Sequence, residues 1–251
     1  MNRIESVKNT KIKNWKKLHT KKGRTQSGQF FIEGVHLVEE ALRSTIEIEE
    51  LVVEETFSFP SEWDIDNLSM TYVTSQVMKE LSETETPQGI AAICKQIDNK
   101  KKFTRGMFLL IDGVQDPGNV GTLIRTADAV GVTAVILGEG TADMYNSKVI
   151  RATQGSLFHV PIYKQDLYET VLTCKQEGIP VYGTALEHAS VYSEIPPVDE
   201  FALIVGNEGE GVSKKVLEQT DQNLYIPIFG RAESLNVSVA TGVLLYHLRK
   251  N

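Results

Sequence analysis

Apolar residues along the chain fall into short runs and helical stripes, and their spacing divides the sequence into two patterned regions. In the first, Phe31-Ile32-Glu33-Gly34 leads into a stretch where Val35, Val38, Ala41 and Leu42 mark one face of a helix. Strands are predicted near Leu51–Val53 and at Tyr72–Val73, and Thr74 is placed to cap a helix running to Leu81. Pro87-Gln88-Gly89 reads as a turn before the apolar run Ile90–Cys94. Residues 26–95 therefore read as a small α/β domain whose motifs name no chemistry.

From Met107 onward the alternation becomes regular. Strand-like runs occur at Met107–Ile111, Ala134–Leu137, Pro180–Tyr182, Phe201–Val205 and Asn223–Ile226. Helical patterns lie between several of them, which points to an α/β fold with a mostly parallel sheet and helices on both faces. The polar stretch 96–105, with Lys100, Lys101, Lys102 and Arg105, reads as a linker, leaving 106–251 as the second domain. A terminal helix from Ser234 to about Leu248 is apolar almost all round. More than one of its faces should therefore be buried, by the sheet and by a second subunit.

With 251 residues, 41% hydrophobic and 24% charged, the chain has an ordinary soluble composition and can bury a real core. No run reaches the ~18 to 20 apolar residues of a membrane span, and the start has basic residues without an apolar signal region. Cys94 and Cys174 are far apart, and the five histidines form no HxH or HExxH pair. These features exclude a disulfide scaffold, a zinc module or other metal site, and a membrane protein, and set a cytoplasmic expectation. The net charge of −7 hides a split. Residues 1–25 carry Arg3, Lys8, Lys11, Lys13, Lys16, Lys17, Lys21, Lys22 and Arg24 against the single acid Glu5. That stretch reads either as a solvated tail or as a basic arm that neutralises phosphates. Trp15 and His19 could stack on bases within it; equally, Trp15 and Leu18 could pin a short helix to the body.

Three segments stand at predicted strand ends, where doubly wound sheets bind ligands. The first is Asp112-Gly113-Val114-Gln115-Asp116-Pro117-Gly118-Asn119, in which Asn119 can cap a helix. Val120, Leu123, Ile124 and Ala127 form the buried stripe of that helix and leave Arg125 free to face the strand-end crevice. The second is the apolar run Leu203-Ile204-Val205 followed by Gly206-Asn207-Glu208-Gly209-Glu210-Gly211, with Ser213 placed to cap a short helix. Its glycines allow close approach to the backbone, while its two acids suit a ligand rich in hydroxyl and ammonium groups rather than phosphate. No GxGxxG or GxxxxGK[ST] occurs, so nucleotide-dependent oxidoreductases and P-loop enzymes lose support. The third runs from Ile226-Pro227-Ile228 through Ser234-Leu235-Asn236-Val237-Ser238, polar where a plain core helix would not be.

Together and in this order, the three segments resemble the SpoU (TrmH) branch of the SPOUT RNA ribose 2′-O-methyltransferases, over residues 106–249. The segment Ser147–Ser156 is similar to a further stretch of the family, and the earlier domain resembles its L30-like substrate-binding domain. The resemblance implies a deep trefoil knot, which periodicity never suggests because knots are rare, a homodimer, and S-adenosylmethionine as cofactor. It implies cofactor contacts at Leu203, Val205, Gly206, Ile226, Ser234, Leu235 and Asn236. Asn119, Arg125, Glu208 and Asn236 fall on its catalytic positions. Arg151 joins Lys16, Lys17, Lys21, Lys22 and Arg24 as candidate contacts to RNA.

Methyl transfer from a sulfonium is an in-line displacement, so the protein must align the ribose oxygen and help its proton leave. Arginine stays protonated at working pH. The expectation is that Arg125 stabilises the developing alkoxide and an adjacent phosphate, while Glu208 or a water takes the proton. The expected substrate is 23S ribosomal RNA, at a guanosine; transfer RNA, or RNA binding by a chain with an inactive cofactor site, remain alternatives. Replacing Lys16, Lys17, Lys21 and Lys22 together with alanine is expected to weaken RNA binding and flatten its salt dependence in filter-binding titrations. Unchanged affinity would return the segment to a solvated surface.

Overall fold

Each region resolves its apolar runs into the buried strands of its own sheet. The computed structural model describes residues 2–97 and 105–250. The chain begins with β1 (Asn2–Ile4), α1 (Thr10–Lys17), α2 (Lys21–Ser27), β2 (Gln29–Glu33) and α3 (Val35–Arg43). It continues through β3 (Ile48–Glu54), β4 (Met70–Val73), α4 (Ser75–Leu81) and β5 (Ile90–Lys95). Then follow β6 (Met107–Asp112), α5 (Pro117–Val130), β7 (Ala134–Leu137), α6 (Ser147–Thr153), β8 (Ile162–Lys164) and α7 (Leu167–Gln176). The remainder is β9 (Val181–Thr184), β10 (Ser190–Val191), β11 (Phe201–Gly206), α8 (Lys214–Leu217), β12 (Gln222–Tyr225) and α9 (Val237–Leu248). Two compact units result. One holds the described residues up to 97 together with Asp143–Phe158; the other holds 105–142 and 159–250.

The first unit is a five-stranded mixed sheet in the order β1-β4-β3-β5-β2. Leu51, Val52 and Val53 on β3 and Ile90–Cys94 on β5 are fully buried, as central strands require. One face packs Phe31, Val52, Val73 and Ile93 against Ile12, Trp15 and Leu18 and against Val77, Met78 and Leu81 of α4. Residues 1–25, expected as a basic arm or a solvated tail, thus begin with β1 and continue into α1 and α2, the second of which runs on to Ser27. Trp15 lies in the core with Lys11 Nζ 5.1 Å from its ring centre, so the pinning reading holds and Trp15 offers no stacking face. Arg24 also departs from its expected place. It is only 3% exposed, donating from Nη1 to Leu18 O at 2.8 Å and from Nη2 to Asp143 Oδ2 at 2.6 Å. Arg24 is therefore a strut between α2 and the 143–158 segment, not a surface contact. Breaking one partner of a buried ion pair costs about 3–5 kcal/mol. The same segment packs α6 against β2 and sets the Tyr145 ring 4.5 Å from that of Phe30. Sequence placed these residues in the second domain; their packing places them in the first.

The second unit carries seven strands, all parallel, in the order β10-β12-β9-β11-β6-β7-β8. One face, including Phe108, Leu110, Ala202 and Ile204, packs against Leu167, Val171 and Cys174 of α7 and Val216 of α8. α9 packs against α5 and β11 on the other face. From β6 the chain steps outward through β7 and β8, then returns to fill the opposite side with β9, β11 and β12. The direction of winding therefore reverses between β6 and β11, and doubly wound sheets bind ligands at the strand ends beside such a reversal. The short β8 and β10 were not anticipated. Lys100, Lys101 and Lys102 of the expected linker lie outside the described residues, and Gln96 N still bonds Gly28 O in the first unit. Among the described residues no helix is long and apolar enough to cross a membrane, and no cluster of His, Cys, Asp or Glu is arranged for a metal.

Candidate active site at the strand ends

The chain leaves β6 through Asp112 and a tight turn into α5. Asp116, not Asn119, caps that helix: its Oδ1 accepts from Asn119 N at 2.8 Å, and Pro117 supplies the preset first turn. Relieved of capping, the Asn119 side chain is available for other bonds. The loop after β11 is closed by reciprocal bonds between Asn207 and Gly211 (3.0 and 2.9 Å). A Cβ on Gly206 would lie 2.1 Å from the backbone at Gly211 and Val212, so only glycine permits this reversal. Two side chains then tie the loops together. Asn207 Nδ2 donates to Gly113 O at 2.9 Å, and Asp112 Oδ2 accepts from Ser213 N at 2.8 Å. Neither Asp112 nor Asn207 was singled out by sequence reasoning, although both stand within its motifs.

The terminal helix also begins later than expected. Asn236, rather than Ser234, is its cap: Oδ1 accepts from Ser238 N (2.9 Å) and Val239 N (3.4 Å). That fixes which end of the amide faces outward. Asn236 Nδ2 donates to Asn119 Oδ1 at 2.9 Å, and Asn119 Nδ2 donates to Glu208 Oε1 at 2.9 Å. The polarity of this relay is set from both ends, by helix N–H groups at one and a carboxylate at the other. Ser238 Oγ adds a bond to Asn119 O at 3.2 Å. Three of the four expected catalytic side chains are thereby joined. The fourth, Arg125, is exposed on α5 and has no hydrogen bond or ion pair among the described residues.

Partial burial pushes the Glu208 carboxyl up, but bonds from Asn119 Nδ2 and from the backbone of Glu208, Gln115 and Asp116 outweigh it, leaving the group below its ordinary value. A depressed carboxylate is stabilising at neutral pH, and that contribution is lost as pH falls through the folded-state value. It is also a weaker base than a free glutamate.

The expected cofactor residues divide by environment. Leu203 and Val205 are buried in β11, and Leu203 is paired on both sides, with Leu109 and Tyr182. Their side chains are buried in the core. Pairing with β9 ends at Ile204, so Gly206 stands clear of that strand. Ile226, Ser234 and Leu235 lie on the loop between β12 and α9. No hydrogen bond joins the backbone of residues 226–235 to other described residues. Phe229, at 98% exposure, stands fully in solvent there. Replacing Asn119 with alanine is expected to raise the Glu208 pKa, read as an upward shift in its carboxyl ¹³C titration. An unchanged midpoint would mean that backbone donors alone hold the carboxylate.

Comparison with known proteins accounts for both units. The model of the SpoU rRNA Methylase family matches residues 106–246, and that of the MRM3-like substrate binding domain matches residues 9–92. The chain is 53% identical over 250 residues to the 23S rRNA (guanosine(2553)-2′-O)-methyltransferase RlmP of Bacillus subtilis (strain 168), covering 99% of this chain and 100% of that one. An AdoMet-bound rRNA methyltransferase from Sinorhizobium meliloti superposes with a TM-score of 0.86 at 28% identity, covering 98% of this chain and 97% of that one. The SpoU methyltransferase AviRb from Streptomyces viridochromogenes, in complex with AdoMet, gives 0.83 at 26% identity, with 96% and 97% covered. The strand-end relay and the sheet that carries it are thus those of a chain that belongs to the SpoU rRNA methylase family.

Proposed function

We propose that this protein is an S-adenosylmethionine-dependent methyltransferase that modifies a ribose 2′-OH of 23S ribosomal RNA in the cytoplasm, at the guanosine corresponding to the one named for the Bacillus relative, position 2553. The observation that carries this reading is the end-to-end similarity to that enzyme, which spans both units. The loop 226–235 fits the methyl donor. Its unpaired backbone N–H and C=O groups are the partners an adenine edge requires, and the acids Glu208 and Glu210 suit a ligand bearing ammonium and sulfonium charge. Gly206, Ile226, Ser234, Leu235 and Asn236 would hold it. When bound, the cofactor supplies an electrophilic methyl group.

The chain's own residues do the rest. The Asn236–Asn119–Glu208 relay fixes the relative positions of the three loops, and holding reacting atoms near ~3 to 3.5 Å contributes several kcal/mol. Arg125, permanently charged, carries the negative charge growing on the ribose oxygen and grips a neighbouring phosphate. Glu208, a weakened base with both oxygens already bonded, orients Asn119, and the hydroxyl proton leaves to water. The exposed Lys21 and Lys22 attract RNA backbone. Lys16, paired with Glu80, and Lys17, bonded to Asn14, contribute less. The knotted C-terminal path belongs to the same proposal, as does a homodimer. Val239 and Tyr246 of α9 are 55% and 62% exposed and share a face with Val243, an apolar stripe suited to a second copy.

Ribose-methylation mapping of 23S rRNA from cells lacking this protein should show one guanosine mark gone, and Arg125→Gln in its place should erase the same mark. Intact marks throughout would refute the enzyme reading. By sedimentation velocity the protein should run as two chains, and Val239→Glu with Tyr246→Glu as one. A wild-type monomer would remove the dimer.

A further inference from the structure

In the first unit a cavity of about 300 Å³ opens beside α3, at the lower end of the range for small-ligand sites. Its apolar wall is made by Leu37, Met78 and Ile90, all buried. The polar side is held in place by bonds of its own. Glu33 accepts from Arg151 Nη1 at 3.4 Å and from Ser82 Oγ at 2.5 Å, so both carboxylate oxygens are engaged. Gln88 Oε1 accepts from Val35 N at 2.7 Å and satisfies the start of α3, where Gly34 provides no side-chain cap. This leaves the Gln88 Nε2 amide with no partner among the described residues. His36 Nε2 faces Gln154 O at 3.2 Å; because a carbonyl only accepts, Nε2 carries the hydrogen and Nδ1 remains an acceptor in the neutral ring. Arg151 meets Glu33 through Nη1 alone, and Nε and Nη2 have no partner among the described residues.

Arg151 and Glu33 cancel in charge, which disfavours a phosphate. The apolar wall suits a flat ring, while a guanidinium fork, an amide donor and an imidazole acceptor suit a ring edge with both acceptors and donors. Guanine offers that edge, O6 and N7 for an arginine fork with N–H groups beside them; adenine presents an amino donor where the fork needs an acceptor. RNA is read chiefly through unpaired bases splayed from its loops. We propose that this cavity receives an unpaired guanine of the RNA substrate, with Arg151 and Gln88 as the donors that read it. The proposal rests on the ribosomal RNA reading above and adds to it the base that the first unit recognises.

The test titrates the full chain with 5′-GMP, 5′-AMP and inorganic phosphate while following the ¹³C-methyl resonances of Met78 and Ile90. GMP should shift both, and AMP and phosphate neither. Gln88→Glu keeps the acceptor for Val35 N–H and replaces the donor with a carboxylate. It should abolish the GMP response and raise KM for a 23S rRNA fragment about tenfold, more than it lowers kcat, and Arg151→Gln should act alike. Equal shifts with AMP or phosphate, or an unchanged KM in both variants, would overturn the proposal. The titration needs no turnover. A protein that methylates no RNA yet answers GMP at Met78 and Ile90 would sink the enzyme reading alone, whereas a methylating protein with silent methyls would sink this one alone.

Discussion

The side-chain amide of Asn119 holds the strand-end site together. One primary amide can donate and accept at the same time, and here it does both, to Glu208 and from Asn236. The partners lie 89 and 117 residues away along the chain. Local preference cannot bring such segments together; only the parallel sheet, with its winding reversed between β6 and β11, delivers their ends to one place. Once there, every polar atom of the relay has a partner of the right sense. A fully satisfied network of this kind is rigid, while a half-satisfied one costs more than none. The constraint therefore runs both ways: the sheet positions the amides, and the amides prevent the loops from drifting.

Much of the architecture was legible because strands covered on both faces must be written as near-continuous apolar runs. Met107–Ile111, Ala134–Leu137 and Phe201–Val205 were visible for that reason. The edge strands β8 and β10, of three and two residues, are too short to leave a pattern. Caps were misplaced because Asp116 and Asn119, or Ser234 and Asn236, are equally good residue types, and only backbone geometry chooses between them. The members of the relay were named through resemblance; the bonds joining them were not, since no spacing encodes a contact at that separation. Cofactor positions inherited from a motif also include residues such as Leu203, whose side chain serves the core.

Charge was the least readable feature. Counting lysines and arginines in the first 25 residues gives an exposed basic segment, but Lys11 pairs with Glu50, Lys16 with Glu80 and Arg24 with Asp143. A sum over sequence cannot see pairing across a sheet. The acidic remainder has a local meaning as well. Glu208 remains ionised because donors converge on it, so negative charge at the strand ends is a fixed property of the site.

The lodging of residues 143–158 in the first unit sets an order of events during synthesis. A growing chain emerges from its N-terminus, and domains generally fold as units as they appear. Here the first unit cannot close when its own strands are finished. Phe30 has no Tyr145 to meet, and Arg24 has no carboxylate, until β6, α5 and β7 have also been made. Through that interval the Arg24 guanidinium lacks the carboxylate that it pairs with in the folded unit. A fragment ended at the junction between the two sheets would lack Asp143 and Tyr145, and with them the partners of Arg24 and Phe30.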